Sequence, residues 1–411
     1  AMMDELDPHS QYVSEEEFNA MHDPLLGSFE GIGVSFRIEN DTVVIINTIK
    51  GGPSEKVGVM GGDRIVFVDD SLIAGVKMKN EDVMRRLKGP KNTKVALRVL
   101  RRGVEGLLDY TVTRDVIPTY SIDVAYMLDE EIGYLKLGKF SATTYDEFVK
   151  AVRKLRGEGM KKMVFDLRGN TGGFLSAAVD IADAFLPKGS LIVYTEGRNR
   201  PRSYMTARRH GMMEDIPVAV LIDGESASAS EIVAGALQDN DCGTIIGRRS
   251  FGKGLVQEQI MLSENTAIRL TVARYYTPTG RCIQKPFDGD REKYLYESYE
   301  RYANGELFSA DSIHFADSLK FVTPKGKVVY GGSGIYVPLV DDSTEYFFNS
   351  MANTGIVFQY AFDYTDAHRQ ELNAYKTVEK FTKSFHVSDA MFETLLKRAE
   401  DKGLKGSAEE K

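Results

Sequence analysis

The stretch from Val218 to Leu237 constrains the fold of this chain more than any other. Val218-Ala219-Val220-Leu221-Ile222 has the length and composition of a buried strand. Asp223-Gly224 signals a turn. Ser226-Ala227-Ser228-Ala229-Ser230-Glu231 then opens a helix that continues through Ile232-Val233-Ala234-Gly235-Ala236-Leu237. A strand feeding straight into a helix sets a hydroxyl at the sheet's edge, beside helix N–H groups that favour negative charge. Lys253 stands 25 positions beyond Ser228 in Ser250-Phe251-Gly252-Lys253-Gly254, after another strand candidate, Thr244-Ile245-Ile246-Gly247. Two such elements side by side can bring a hydroxyl and an amine together. A lysine kept from water loses its proton more readily and can serve as a general base. A serine before a helix is also the ordinary N-cap, and spacing does not choose among Ser226, Ser228 and Ser230.

Histidine offers no nearer base. The six are His9, His22, His210, His314, His368 and His386, none close in sequence to the serine turn. Neither a Gly-x-Ser-x-Gly elbow nor a His-Glu-x-x-His helix occurs. A lysine base therefore needs fewer assumptions.

From Asp223 to Gln257 the chain resembles the catalytic region of the carboxy-terminal processing peptidases, also called tail-specific proteases. The resemblance rests on Ser-Ala-Ser-Ala-Ser-Glu, Ile-Val-Ala-Gly-Ala-Leu-Gln-Asp and Phe-Gly-Lys-Gly-x-Val-Gln. It implies Ser228 as nucleophile, Lys253 as base and Gln257 as the group that orients the lysine. A second run, Asp166-Leu167-Arg168-Gly169-Asn170-Thr171-Gly172-Gly173, is similar to the family's Asp-Leu-Arg-Asn-Asn-x-Gly-Gly. By that likeness the backbone N–H groups of Gly173 and Ala229 form the oxyanion hole. Gly169 departs from the pattern, standing where an asparagine is usual.

Four regions are expected. Residues 1–26 form a polar, mostly helical leader. Its Leu6-Asp7-Pro8-His9-Ser10 run resembles a family segment and is given no catalytic role. Residues 27–116 carry short strands, a short helix at Ser54–Gly58 and a longer one at Asn80–Leu87, which suits a small β-barrel. Their order and glycines resemble a PDZ domain, with Gly31, Ile32, Gly33 and Val34 receiving a peptide's terminal carboxylate and the peptide adding as a strand. Residues 117–340 alternate strand and helix. Strands at Ile132–Leu137, Lys162–Leu167, Leu191–Tyr194, Val218–Ile222 and Thr244–Ile246, with helices at Tyr145–Leu155 and Phe174–Phe185, give an α/β core on a mostly parallel sheet, crotonase-like by resemblance. A charged, tyrosine-rich insertion or surface helix near 285–320 interrupts it, and Tyr336-Val337-Pro338 alters the family's usual turn. Residues 341–411 are helical with a solvated tail.

The expected activity is that of a serine endopeptidase cleaving near protein C-termini, with the PDZ domain reading the substrate's end. The alternative is a PDZ-bearing non-catalytic binding protein on a protease-like core. An acyl-CoA enzyme on the same kind of core is a further rival, opposed by the PDZ-like segment. No cofactor and no metal are called for: neither of the two cysteines, Cys242 and Cys282, has zinc-like neighbours, and nothing in their spacing demands a disulfide. The 52 Lys and Arg against 60 Asp and Glu oppose a nucleic-acid partner. The partners expected are proteins or peptides with a free C-terminus, with a homo-oligomer or adaptor left open. No apolar run reaches membrane-spanning length. By resemblance the protein is bacterial and periplasmic or otherwise extracytoplasmic, with any signal segment lying upstream of Ala1.

Overall fold

The computed structural model describes residues 2–15, 17, 25, 27–263, 266–304, 306, 315–337, 345–404 and 406. His22, His314, Pro338 and the end of the tail fall outside these. The chain divides into two compact units, each discontinuous in sequence: residues 1–29 with 118–341, and residues 30–117 with 342–411.

The larger unit is built on a sheet whose strands lie in the order Ile122–Met127, Ile132–Leu137, Lys162–Asp166, Val218–Ile222, Thr244–Gly247. The last four run parallel and the first is antiparallel to its neighbour. Parallel strands covered on both faces read as continuous apolar runs, which is why Val218–Ile222 was visible in the sequence. Helices Thr144–Gly157, Leu175–Asp183 and Ala229–Asp239 belong to the same unit. Phe148, Phe165 and Phe185 meet in its core with ring centroids 5.6 to 5.9 Å apart. Parallel order puts the ends of Lys162–Asp166, Val218–Ile222 and Thr244–Gly247 at one edge, so the loops that follow them converge there.

One expectation about the sheet needs correction. Leu191–Gly197 is not a strand of the parallel sheet. It pairs antiparallel with Arg200–Thr206 and with Ala267–Tyr276 in a second sheet. Ala267–Tyr276 also pairs with Leu255–Met261 and Gln11–Val13. An apolar run reports burial, not which sheet buries it; here Tyr194 stacks on Tyr276 at 4.8 Å. In the segment 1–26 the described residues give a 3-10 turn at Met2–Glu5, the strand Gln11–Val13, which the sequence reading lacked, and helical conformation at Glu15, Glu17 and Leu25; the remainder lies outside the described residues. The strand's three residues are too few to display an alternation.

The second unit contains an antiparallel sheet in the order Val34–Glu39, Thr42–Thr48, Arg64–Val68, Lys94–Leu100, Leu107–Thr113. Helices Pro53–Lys56 and Asn80–Leu87 accompany it, and Ile45, Ile65, Val83, Val95, Leu97, Val99 and Val112 fill its core. Val34–Glu39 is an edge strand among the described residues. The C-terminal helices Glu345–Asn353, Ile356–Ala367, Arg369–Asn373, Val378–Ser384 and Asp389–Asp401 belong to this unit. Arg369 donates to the Gly61 carbonyl (2.9 Å) and to Asp366 (2.8 Å), and the Arg37 guanidinium lies over the Phe358 ring at 4.7 Å. No helix among the described residues is long and apolar enough to cross a membrane. Cys242 and Cys282 are free thiols.

Candidate active site

The structure separates the three serines that spacing left equivalent. Ser226 and Ser230 are fully buried, and their hydroxyls donate to the carbonyls of Leu167 (2.9 Å) and Asn170 (2.8 Å). Both bonds stitch the turn to the 167–173 loop. Ser228 is half-buried and caps the Ala229–Asp239 helix with φ +56° and ψ −111°. A non-glycine residue in that region carries strain that its surroundings must hold, a condition common at reacting groups.

Glu231 does much of that holding. It is fully buried, and each of its oxygens accepts two hydrogen bonds. Oε2 takes the N–H of Ser228 (2.8 Å) and of Lys253 (2.9 Å); Oε1 takes the N–H of Gly252 (2.7 Å) and the hydroxyl of Ser250 (2.5 Å). One carboxylate thus fastens the serine turn to the lysine loop. Burial pushes its pKa up, against four hydrogen bonds that favour the charged form. The Tyr275 hydroxyl makes a second bracket, reaching the carbonyls of Ser228 (3.0 Å) and Lys253. Glu231 lay inside the quoted motif without a role assigned to it. Tyr275 carried no catalytic signal.

The Gly169–Gly173 loop packs against the same turn. A side chain on Gly172 would meet the Ser228 Cβ at 2.9 Å, and one on Gly173 would meet the Phe140 carbonyl at 2.0 Å. Both positions therefore demand glycine. Gly169 has φ +74°, a conformation asparagine also tolerates, so the departure noted in the sequence keeps the loop's path. The Ala227 N–H bonds the Asn170 carbonyl and the Phe174 N–H bonds the Phe140 carbonyl. Among the described residues no hydrogen bond takes up the N–H of Gly173 or Ala229.

Lys253 is largely buried. Burial first, then the nearby Arg269, lowers its pKa, while Asp7 and Glu231 pull the other way. Gln257 lies on the Leu255–Met261 strand, and its Nε2 donates to the His9 carbonyl at 2.6 Å. Of the described residues in the segment near 285–320, Leu295, Tyr296 and Tyr299 are exposed, while two of its cations are buried. Arg301, on the helix Glu297–Ala303, is buried and donates to the carbonyls of Ser250 (2.9 Å) and Arg249 (3.2 Å). Lys285 is buried too, with Nζ 2.9 Å from Glu297 and 4.1 Å from the ring centroids of Phe251 and Tyr294. The segment's charged composition hid this because the charges satisfy one another.

In the second unit, Gly31, Ile32 and Gly33 lead into the edge strand, which Val34 begins. The carbonyl of Ile32 accepts from Ser54 N–H (3.1 Å) and that of Gly33 from Ile49 N–H (2.9 Å). In a trans peptide the C=O and the next N–H point opposite ways. The N–H groups of Gly33 and Val34 therefore turn away from the domain's interior.

The layout is that of a serine peptidase core carrying a PDZ-like barrel. Peptidase family S41 matches residues 131–292, the PDZ domain matches residues 24–100, and a family of unknown function matches residues 347–411. A carboxy-terminal-processing protease of Bartonella bacilliformis is 41% identical over 288 residues, covering 69% of this chain and 65% of that protein. Carboxy-terminal processing protease CtpA of Bacillus subtilis is 34% identical over 279 residues, covering 68% of this chain and 59% of that protein. The chain thus spans less than two thirds of either relative. A probable CtpA-like serine protease of Staphylococcus aureus is 30% identical over 400 residues, covering 95% of this chain and 77% of that protein. The chain belongs to peptidase family S41, alongside the carboxy-terminal processing proteases.

Proposed function

We propose that this protein is a serine endopeptidase that cleaves proteins near their C-termini. The observation that carries the reading is the single Glu231 oxygen that binds the backbone N–H of both Ser228 and Lys253, tying the strained serine turn to the loop of a largely buried lysine. Ser228 Oγ attacks the scissile carbonyl while neutral Lys253 takes its proton. The lysine then returns that proton to the leaving amine, freeing the first product. Water, deprotonated by the same lysine, releases the acyl group from the serine and restores the hydroxyl. Gln257 orients the amine, and the N–H groups of Gly173 and Ala229 face the developing oxyanion. The chemistry needs no cofactor. Gly31, Ile32, Gly33 and Val34 receive the substrate's terminal carboxylate, and its last residues extend the sheet along Val34–Glu39. The four regions at 1–26, 27–116, 117–340 and 341–411 are the leader, reader, protease core and helical end. The relatives are bacterial, and action outside the cytoplasm, in the periplasm or its equivalent, is part of the same proposal.

The test is cleavage of a free-ended peptide by wild type, Ser228→Ala and Lys253→Ala. Each variant is expected to lose about 10³-fold or more in kcat with its thermal melt retained. Wild-type turnover in either one overturns the assignment.

A further inference from the structure

The Asp7–Ser10 turn belongs by sequence to the polar leader, yet in the fold it lies against the catalytic strand. It is fastened to Thr271, the cross-strand partner of Gln257. Asp7 Oδ1 accepts from Thr271 Oγ1 and from His9 N–H, both at 3.0 Å, and Oδ2 accepts from Ser10 Oγ at 2.5 Å. Ser10 Oγ in turn accepts from Thr271 N–H at 3.1 Å. The ladder is irregular at this place. Val256 pairs with Ala273 and Gln257 with Thr271, leaving Val272 unmatched. A bulge of this kind re-aims the side chains beside it. A further chain of hydrogen bonds leads from the turn to the lysine loop. His9 Nε2 lies 2.8 Å from the Tyr294 hydroxyl, which accepts from Gln284 Nε2 at 3.0 Å, and Gln284 Oε1 accepts from Gly254 N–H at 2.9 Å.

We propose that the Asp7–Ser10 turn is a positioning element of the active site: the His9 carbonyl decides which end of the Gln257 carboxamide is free to face Lys253, and Asp7 anchors that carbonyl to Thr271. This deepens the serine–lysine reading and rests on it. A carboxamide has a donor end and an acceptor end, and a carbonyl receives only the donor. With Nε2 committed to His9, Oε1 remains as the acceptor. An acceptor holds one N–H of the lysine amine and leaves its lone pair for the serine hydroxyl; a donor end would compete for that lone pair. The charges fit the same arrangement. Asp7 is ionised, its carboxyl held low by the Ser10, His9 and Thr271 hydrogen bonds despite burial. It opposes the effects of burial and Arg269 on Lys253, alongside Glu231. His9 is pushed down to about 4 by burial and by Lys253, with Lys285 and Arg291 adding to the effect and Asp7 opposing it. The imidazole is therefore neutral in the working range and adds no second charge.

The test measures kcat, KM and the pH profile of peptide cleavage by the full chain for wild type, Ser228→Ala, Asp7→Ala, Asp7→Asn and Thr271→Val. Asp7→Ala and Thr271→Val are each expected to lower kcat about tenfold or more with KM within about twofold of wild type. Thr271→Val keeps the strand's shape, so it decides the matter if Asp7→Ala fails to fold. Asp7→Asn retains an acceptor and loses the charge. It is expected to keep more of kcat and to move the acid limb to lower pH, because a negative charge that raised the Lys253 pKa is gone. Wild-type kcat in both Asp7→Ala and Thr271→Val, or an unmoved acid limb in Asp7→Asn, overturns the proposal. Those results with Ser228→Ala inactive leave the serine–lysine reading standing. A Ser228→Ala enzyme as active as wild type sinks both.

Discussion

At the scale of the residue, the proposed base Lys253 sits in surroundings that are wrong for an ammonium ion. Burial and Arg269 depress its pKa, so the folded protein binds that proton less tightly than the unfolded chain does. The penalty on stability is complete below the folded pKa. It is relieved as pH rises from there towards the unfolded value near about 10.4. Two consequences follow in opposite directions. Activity is expected to climb with pH as the amine becomes neutral. Lys253→Met, which fills similar space without charge, is expected to abolish cleavage yet raise the melting temperature by a few degrees at about pH 7, with the gap narrowing by about pH 10. Thermal melts at the two pH values check this, and a variant less stable than wild type at both contradicts it. The sequence showed Lys253 between its glycines and the resemblance gave it a role. It did not show Arg269 or Asp7 near it, because those neighbours arrive from strands and turns distant in the chain.

At the scale of the element, the site is a junction of two loops and a helix start, and Glu231 is the bolt. Glu231→Gln puts an NH₂ where an oxygen received two donors, either Ser228 and Lys253 or Gly252 and Ser250. Two buried donors then lose their acceptor, at about 1–3 kcal/mol each. The expected outcome is a loss of roughly 2–6 kcal/mol in stability, with kcat falling more than KM changes. Chemical denaturation and steady-state kinetics measure both, and a variant matching wild type in each contradicts the bracket. The elements themselves were largely legible. Val218–Ile222 and Asn80–Leu87 are read from the sequence to the residue because burial and periodicity agree there. Leu191–Gly197 was placed in the wrong sheet, Gln11–Val13 was missed and the burial of Arg301 was hidden. Each depends on a long-range partner: Tyr276, Ala267 to Arg269, and the carbonyls of Arg249 and Ser250.

At the scale of the whole molecule, the proposed reader is best tested through the substrate. Within its unit the barrel is bonded to the C-terminal helices, through Arg369 to Gly61 and Arg37 to Phe358, so cutting the barrel out also strips those helices of their partner. Peptides identical except for a free, amidated or Asp-terminated end leave the protein intact. The free end is expected to be cut about tenfold faster or more, since amidation removes a charge-assisted acceptor and a terminal Asp brings a charge into an apolar place. Equal kcat/KM for all three ends would remove the reader role. The bond from Thr271 to Asp7 joins residues 264 positions apart. A ribosome adding about 5–20 residues per second takes roughly 13–50 s to travel that distance. Until then the Asp7–Ser10 turn lacks the strand it bonds to, and on the proposed reading Gln257 has no settled direction. By that same reading, cleavage cannot begin before the segment around Asp7 has met the strand that carries Thr271.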